Sequence, residues 1–347
     1  MQAWLFFIVS LVLAMVVVGG ATRLTDSGLS ITEWLPLLGA IPPLSQDDWN
    51  VAFEKYRQIP EYKLVNAGMS MAEFQYIYWW EWAHRFLGRF IGLAYAVPLA
   101  YFWARGMIRP GWGPSLLGLL ALGGLQGFFG WYMVKSGLSD RVDVSHYRLA
   151  LHLTTAFIIL AWAMWLGLQL SPRRTDARVT TPLPSYHANV AWVIVALMLA
   201  QVVFGAFVAG LKAGLAHNTW PLMDGEVIPS DLMLLTPWHL NFVENVTTVQ
   251  FIHRLTAYVL VGLVAWQAFD IWRKSRDRRV LQSAAVVTIA VLLQAALGVW
   301  TLLAAGYEAQ IPIGLGLVHQ GGAAVLLAIL VWHLHRVYHG LPVAAAP

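Results

Sequence analysis

Long apolar runs separated by shorter polar segments form the main pattern along this chain. Runs long enough to cross a hydrocarbon core of about 30 Å begin near residues 3, 82, 114, 147, 190, 248, 281 and 314. Because polar groups are scarce within each run, the pattern predicts eight transmembrane helices. The fold class that follows is an all-α polytopic membrane protein.

Composition agrees with this interpretation. Of the 347 residues, 59% are hydrophobic and only 12% are charged, against about 25% charged in ordinary soluble domains. The first run follows only "MQ" and lacks both a basic n-region and a small-residue cleavage pattern. We therefore expect the first run to be a retained helix.

The distribution of basic residues predicts the orientation, because Lys and Arg accumulate in short cytoplasmic loops. The loops after helices 2, 4 and 6 and the C-terminal tail carry Arg105, Arg109, Arg173, Arg174, Arg178, Arg273, Lys274, Arg276, Arg278, Arg279 and Arg336. Most acids lie on the other side. Both termini are predicted to be cytoplasmic, with segments 22–80 and 212–247 outside. The net charge of +4 reflects this rule and does not indicate a nucleic-acid partner.

The two halves of the chain resemble each other. "EWAHRFLGR" (81–89) aligns with "QFIHRLTAY" (250–258), and "LQGFFGWYM" (125–133) aligns with "LQAALGVWT" (293–301). The matched pairs are Gly28 with Gly214, Trp34 with Trp220, His84 with His253, Arg85 with Arg254, Gln126 with Gln294, Gly130 with Gly298, and His152 with His319. Such self-similarity predicts two tandem four-helix bundles.

Each predicted unit has an even number of helices, so the two units are expected in parallel orientation, related by an axis along the membrane normal. We predict an N-terminal unit at 1–172, a cytoplasmic linker at 173–185 and a C-terminal unit at 186–340. The four matched histidines come early in even-numbered helices, which places them at one depth near the outer side. Two capping-box patterns, "SQDD" (45–48) and "SMAE" (70–73), predict amphipathic helices at 46–57 and 71–81 before helix 2.

The chain has no cysteine, which excludes disulfides and thiolate metal sites. One histidine from each of two facing helices can hold a cofactor in a bundle, and a haem with two axial imidazoles suits an apolar interior. Zinc is the rival metal, but its sites use three or four ligands close together. Small residues near the histidines would admit a flat macrocycle, although they also permit close helix packing. They are Gly88, Gly92, Gly321, Gly322, Ala323 and Ala324.

The matched arginines, Arg85 and Arg254, follow their histidines directly. They are candidates for pairing with haem propionates or for anchoring at the lipid interface. The halves differ at Glu81, which stands one turn before His84 where the second half has Gln250. This difference suggests that the haem site of the first half carries out the reaction and that of the second half only holds its haem. An acid at a helix entrance is, however, common in itself.

Three features together resemble the haem A synthase family: "GGATRLTDSGLSITEW" (19–34), the Glu81-x-x-His84-Arg85 motif and the four-histidine duplication. The resemblance runs from helix 1 to helix 8. It implies an inner-membrane enzyme that oxidises the C8 methyl of haem O to a formyl group, giving haem A for cytochrome oxidase. Some family members carry a cysteine pair in the first outer loop, so this chain resembles the cysteine-free branch.

The resemblance also implies roles for particular residues. His253 and His319 would hold a resident haem b, while His84 and His152 would bracket the iron of the substrate haem O. Glu81 would be the essential acid, and we hypothesise that it donates or accepts a proton. Implied partners are a haem O synthase and an electron donor, with a homo-oligomer left open. The alternatives are a non-catalytic di-haem electron carrier and a haem chaperone or transporter.

Overall fold

The computed structural model describes residues 1–35, 38–138, 142–171 and 183–339. Helices dominate these residues, and one isolated β-bridge joins Met223 and Glu226. The α-helices are α1 (Gln2–Leu24), α2 (Gln46–Tyr56), α3 (Pro60–Leu64), α4 (Met71–Ala104), α5 (Gly113–Gly137), α6 (His146–Gln169), α7 (Tyr186–Gly210), α8 (Asn241–Glu244), α9 (Val246–Lys274), α10 (Arg278–Glu308) and α11 (Ile313–His339).

Eight of these helices are long and apolar enough to cross a membrane, which confirms the predicted number. They are α1, α4, α5, α6, α7, α9, α10 and α11. Both capping boxes are present: Ser45 pairs with Asp48 before α2, and Ser70 pairs with Glu73 before α4. Because no proline occurs between residues 71 and 97, the amphipathic segment from Met71 continues into the membrane span as one helix, with Pro98 near its far end.

The chain divides into two compact units. The N-terminal unit is residues 10–159, and the C-terminal unit is residues 1–9 with those from 160 onward. The domain boundaries predicted from sequence remain a prediction. Most of the predicted linker, 173–185, lies outside the described residues, as does residue 340.

An aromatic cluster fixes the outer segment of the N-terminal unit. Tyr56 from α2, Phe74 and Tyr78 from α4, and Leu29 from the first loop are all buried together. The rings of Tyr56 and Phe74 lie 5.3 Å apart. Burying an aromatic side chain of this size contributes about 1.5–3 kcal/mol, so the cluster holds the loop at 27–31 against the start of α4.

A buried acid lies beneath this cluster. Glu61 of α3 is 4% exposed, and it accepts a hydrogen bond from the Tyr56 hydroxyl at 3.3 Å. Burial removes water from the carboxylate and raises the pKa of Glu61 to about 8, and negative charges nearby push in the same direction. The Tyr56 bond opposes the shift without cancelling it.

In the C-terminal unit, α7 and α10 each pack against both α9 and α11, which makes a four-helix bundle. The Asn245 side chain caps α9 by accepting from the Thr247 and Thr248 amides. His217 bridges the outer loop to α9, with one ring nitrogen 2.7 Å from Asp224 and the other 2.9 Å from the Thr247 hydroxyl. These bonds fix the loop that follows α7 over the start of α9.

The turns that leave α1 and α7 have the same backbone shape. Asp26 and Lys212 occupy matched places after the two helices, and both are left-handed, with φ of 48° and 53°. Non-glycine residues adopt this conformation seldom. The sequence repeat is therefore accompanied by a repeated local backbone in each unit.

Candidate functional site

The structure brings the first histidine pair together. His84 of α4 and His152 of α6 have ring centroids 6.4 Å apart and ring planes inclined at 76°. Metal–imidazole bonds are about 2 Å long, so two rings that share one metal ion have centroids roughly 6 Å apart. The spacing of the pair fits one iron between the two rings.

A glycine from a neighbouring helix lies against each ring. A Cβ added to Gly19 would lie 3.1 Å from Nε2 of His84, and one added to Gly130 would lie 3.1 Å from Cε1 of His152. In the C-terminal unit, a Cβ added to Gly205 would lie 3.1 Å from Cε1 of His253, and one added to Gly298 would lie 2.9 Å from Cε1 of His319. These approaches are tighter than ordinary contacts of a methyl group. Helix backbone therefore supports all four imidazoles where a larger residue would displace them.

Glutamines hold three of the histidine backbones. Gln126 donates to the carbonyl of His152 at 3.0 Å, Gln201 to that of His253 at 3.0 Å, and Gln294 to that of His319 at 2.8 Å. Nδ1 of His152 and Nδ1 of His253 are buried and have no hydrogen-bond partner among the described residues. These ring atoms remain available to a ligand.

Glu81 is the centre of a hydrogen-bonded frame beside the first pair. It lies well inside α4 and is 2% exposed, so the interpretation of Glu81 as a helix-entrance acid is wrong. Its Oε2 accepts from the Ser30 hydroxyl at 2.7 Å and the Ile31 amide at 2.6 Å. Its Oε1 accepts from Nε and Nη2 of Arg85 at 3.0 and 2.6 Å. Four donors therefore surround one carboxylate.

Arg85 extends this frame to the outer loop. It donates to the carbonyls of Ile31 at 2.7 Å and Glu33 at 2.9 Å. Both arginines, Arg85 and Arg254, thus bind outer-loop carbonyls, a role that was not among those inferred from sequence. Their predicted contact with propionates stays a prediction.

The C-terminal unit contains the same frame with an amide in place of the acid. Arg254 donates to the carbonyls of His217 at 2.6 Å and Thr219 at 2.9 Å, which are matched to Ile31 and Glu33. The oxygen of Gln250 accepts from Arg254 at 2.9 Å. Its nitrogen donates to the carbonyls of Ala213 at 2.7 Å and Ala216 at 2.6 Å. The arginine bonds are therefore the same in both units. The outer-loop groups that face the helix residue differ: they donate to Glu81 in the first unit and accept from Gln250 in the second.

An apolar cavity of about 790 Å³ lies between α9 and α10 in the C-terminal unit. Its lining includes Tyr258 and Gly262 of α9 and Ala295 and Val299 of α10. The α10 residues directly follow Gln294 and Gly298, which contact His319. A volume of this size is in the range of small-molecule sites, but neither His253 nor His319 is among its lining residues.

Some contacts of the site were not found from the sequence. The match of Gly28 with Gly214 must be extended backward along α1 and α7 before it reaches Gly19, Gly205 and Gln201. Of the small residues that were named, Gly92 faces open space. A Cβ at Gly322 would meet the oxygen of Gln294, so Gly322 admits that side chain.

Two buried histidines outside the matched pairs contact polar side chains of the protein. His187 lies 3.3 Å from Asp270, and His333 lies 2.8 Å from the Ser283 hydroxyl, at the other end of the C-terminal bundle. Among the described residues, no group of three or more His, Cys, Asp or Glu side chains could hold a metal ion. Each of the two candidate sites therefore rests on one pair of histidines.

Comparison with known proteins agrees with this geometry. Residues 2–331 match the family model COX15-CtaA, described as cytochrome oxidase assembly protein. A protein named heme A synthase from Parvibaculum lavamentivorans is 49% identical over 335 residues, which cover 96% of this chain and 93% of the relative. Proteins with the same name from Brucella ovis and Brucella abortus are 48% identical over 332 residues, covering 95% of this chain and 89% of each relative. The chain belongs to the COX15-CtaA family of cytochrome oxidase assembly proteins.

Proposed function

We propose that this chain is a haem A synthase, a membrane-bound oxidoreductase that converts a methyl group of haem O to the formyl group of haem A. The observation that carries the proposal is the difference between two otherwise matched frames, Glu81 with Arg85 and Gln250 with Arg254. Only one frame contains an ionisable acid beside a histidine pair. The names of the relatives agree with this chemistry.

In the C-terminal unit, His253 and His319 would hold a resident haem b. The glycine contacts at Gly205 and Gly298 and the Nδ1 of His253, which has no hydrogen-bond partner among the described residues, support this assignment. The Nε of Arg254 is also buried without a partner among the described residues, so it is a free donor for a propionate. The haem supplies one-electron redox chemistry at its iron.

In the N-terminal unit, His84 and His152 would bind the iron of the substrate haem O and fix its position relative to α4. Conversion of methyl to formyl replaces two hydrogens by one oxygen and removes four electrons, so C–H bonds must break and an oxidant from outside this chain must accept the electrons. Glu81 is one helical turn from His84, and its carboxylate is the nearest acid on that helix face. We assign Glu81 the transfer of a proton, with Arg85 holding its carboxylate in place.

The eight spans make this a multi-pass membrane protein. We propose the inner membrane, with both termini cytoplasmic and the histidine pairs toward the outer side, from the bias of basic residues in the loops. A haem O synthase would supply the substrate. The electron donor implied by the resemblance could take part only together with an oxidant such as dioxygen, which would accept electrons and supply the oxygen atom.

Product analysis tests the function. Membranes are prepared from a host that makes haem O and has no haem A synthase of its own, with and without this protein, and the extracted haems are separated by chromatography. We expect haem A only when the protein is present. Haem O extracted unchanged, alongside bound haem b, would instead indicate the di-haem electron carrier, and haem O passed on to another protein would indicate the chaperone.

A further inference from the structure

The four histidines of the site are not held equally. For three of them, the glutamine nitrogen that binds the backbone carbonyl also lies near a ring nitrogen. The distances to the rings are 3.5 Å from Gln126 to His152, 3.3 Å from Gln201 to His253 and 3.1 Å from Gln294 to His319. We call each of these arrangements a glutamine clamp. His84 has no clamp, because no side chain in the described part of the chain donates a hydrogen bond to it.

Met15 occupies the place of the missing glutamine. Gly19 lies against the His84 ring and Gly205 lies against the His253 ring, so these two glycines fix the alignment of the α1 sequence with the α7 sequence. Counting back from these glycines, Gln201 corresponds to Met15. Gly88 comes one turn after His84, and a Cβ added to it would lie 3.5 Å from the methyl carbon of Met15. A thioether of nearly the same length therefore lies where the amide would be.

A second residue of the clamp is missing from the same place. The Thr256 hydroxyl donates to the oxygen of Gln201 and also lies 3.1 Å from the carbonyl of His253. The residue matched to Thr256 is Leu87. Both polar members of the clamp are thus replaced by apolar ones in the N-terminal unit.

The physical consequence concerns how firmly an imidazole is held toward a metal. Outer contacts fix the orientation of a ligand histidine, and their loss typically lowers metal affinity by about 10- to 100-fold. In the clamp the contact that can do this is the bond to the backbone carbonyl, because an amide N–H cannot accept the proton of a ligand imidazole. A backbone glycine supports the His84 ring, and the bonds of Glu81 and Arg85 hold this part of α4 against the outer loop. Among the described residues, however, no side chain donates a hydrogen bond to the ring or the carbonyl of His84 itself. His152, across the same site, keeps its glutamine.

We propose that Met15 and Leu87 are positioning residues that leave His84 as the exchangeable ligand of the substrate site, while His152 stays fixed. The inference rests on the proposed function, in which the N-terminal pair binds a haem that must enter and leave. A substrate site needs one ligand that releases the iron at each turnover. The resident site, with both histidines clamped, keeps its haem.

The test exchanges the clamps between the units and measures haem release. Purified full-length protein is loaded with hemin, and transfer of hemin to excess apomyoglobin is followed by absorbance. The parent should show a fast phase and a slow phase. Met15→Gln with Leu87→Thr should slow the fast phase by about 10- to 100-fold, and Gln201→Met with Thr256→Leu should speed the slow phase by a similar factor. Val17→Thr, which adds a hydroxyl at an exposed position of α1 two residues from Met15, is the control and should leave both phases unchanged.

The outcomes separate the inference from the function on which it rests. Equal release rates in the parent, or phases that neither exchange alters, would overturn the role of Met15 and Leu87 while leaving haem A synthesis untouched. Loading of only one hemin per chain, lost on His253→Ala, would instead overturn the assignment of a haem to the N-terminal pair. A change in the slow phase alone would show that the clamp acts only in the resident site and would also overturn the inference.

Discussion

Replacement of Glu81 by glutamine is the sharpest test of the proposed chemistry. The carboxylate accepts from four donors, whereas an amide oxygen can keep only the two from Arg85. The side-chain nitrogen of the new glutamine then faces the partly buried backbone N–H of Ile31, in the place of the oxygen that now lies 2.6 Å from the Ile31 nitrogen. A buried N–H left without an acceptor costs about 1–3 kcal/mol. The equilibrium constant for forming the intact hydrogen-bonded frame would therefore fall roughly 5- to 150-fold. Lost proton transfer would lower the rate by about 10²- to 10⁴-fold.

The C-terminal unit shows how to separate these two effects. There an amide holds Arg254 and the loop without a carboxylate, because the nitrogen of Gln250 donates to two carbonyls. The residue matched to Ser30 is Ala216, whose side chain has no hydroxyl. In the N-terminal unit the Ser30 hydroxyl lies 2.9 Å from the Ser27 carbonyl, the acceptor matched to that of Ala213. Ser30→Ala frees this carbonyl for a glutamine at position 81.

We therefore expect Glu81→Gln with Ser30→Ala to rebuild the frame yet make no haem A. Ser30→Ala alone should retain most activity, since three donors to Glu81 remain. The assay is chromatographic haem analysis of membranes that express each variant beside the parent, normalised to protein, with resident haem measured by its absorbance. Accumulation of haem O or a partly oxidised product is the expected result. Near-parental haem A from the double variant would show that Glu81 only holds the frame, and proton transfer by this residue would be refuted.

Three further predictions concern the resident site and the outer segment. His253→Ala or His319→Ala should remove most of the low-spin haem b absorbance, because each deletes one of two axial ligands; unchanged haem content in both would contradict the assignment. Gly298→Ala should weaken haem retention, since its Cβ would lie 2.9 Å from the His319 ring, whereas Gly314→Ala on open helix surface is the control and should bind haem normally. Glu61 has a folded-state pKa of about 8, so the unfolded chain loses this proton first as the pH rises and stability should fall between about pH 4.5 and 8, by up to about 1.4 kcal/mol per pH unit. Melting temperatures of detergent-solubilised protein across this range should fall less for Glu61→Gln than for the parent, and parallel pH profiles would refute the assignment.

Local patterns were enough to predict the helices, and the repeat was enough to predict that His84 and His152 lie close together. Apolar runs predicted the eight spans because a helix that crosses a bilayer needs nearly continuous apolar sequence, and "SMAE" predicted the start of α4 because its cap is a local contact. The bonds of Arg85 could not be predicted, since its acceptors are backbone carbonyls, which every residue carries. Met15 was missed for a related reason: within an apolar helix a methionine gives no signal, and its meaning appears only beside Gln201.

The backbone contacts of Arg85 have a consequence for how the outer loop can change over time. The arginine binds the carbonyls of Ile31 and Glu33, and a carbonyl survives any substitution at those positions. The side chains at these positions can therefore be substituted while the backbone of the loop stays bound to Arg85 of α4. A cysteine pair could be gained or lost there without loosening the attachment of the loop to α4. Redox behaviour of the loop and attachment of the loop are thus separable traits, which selection can alter one at a time.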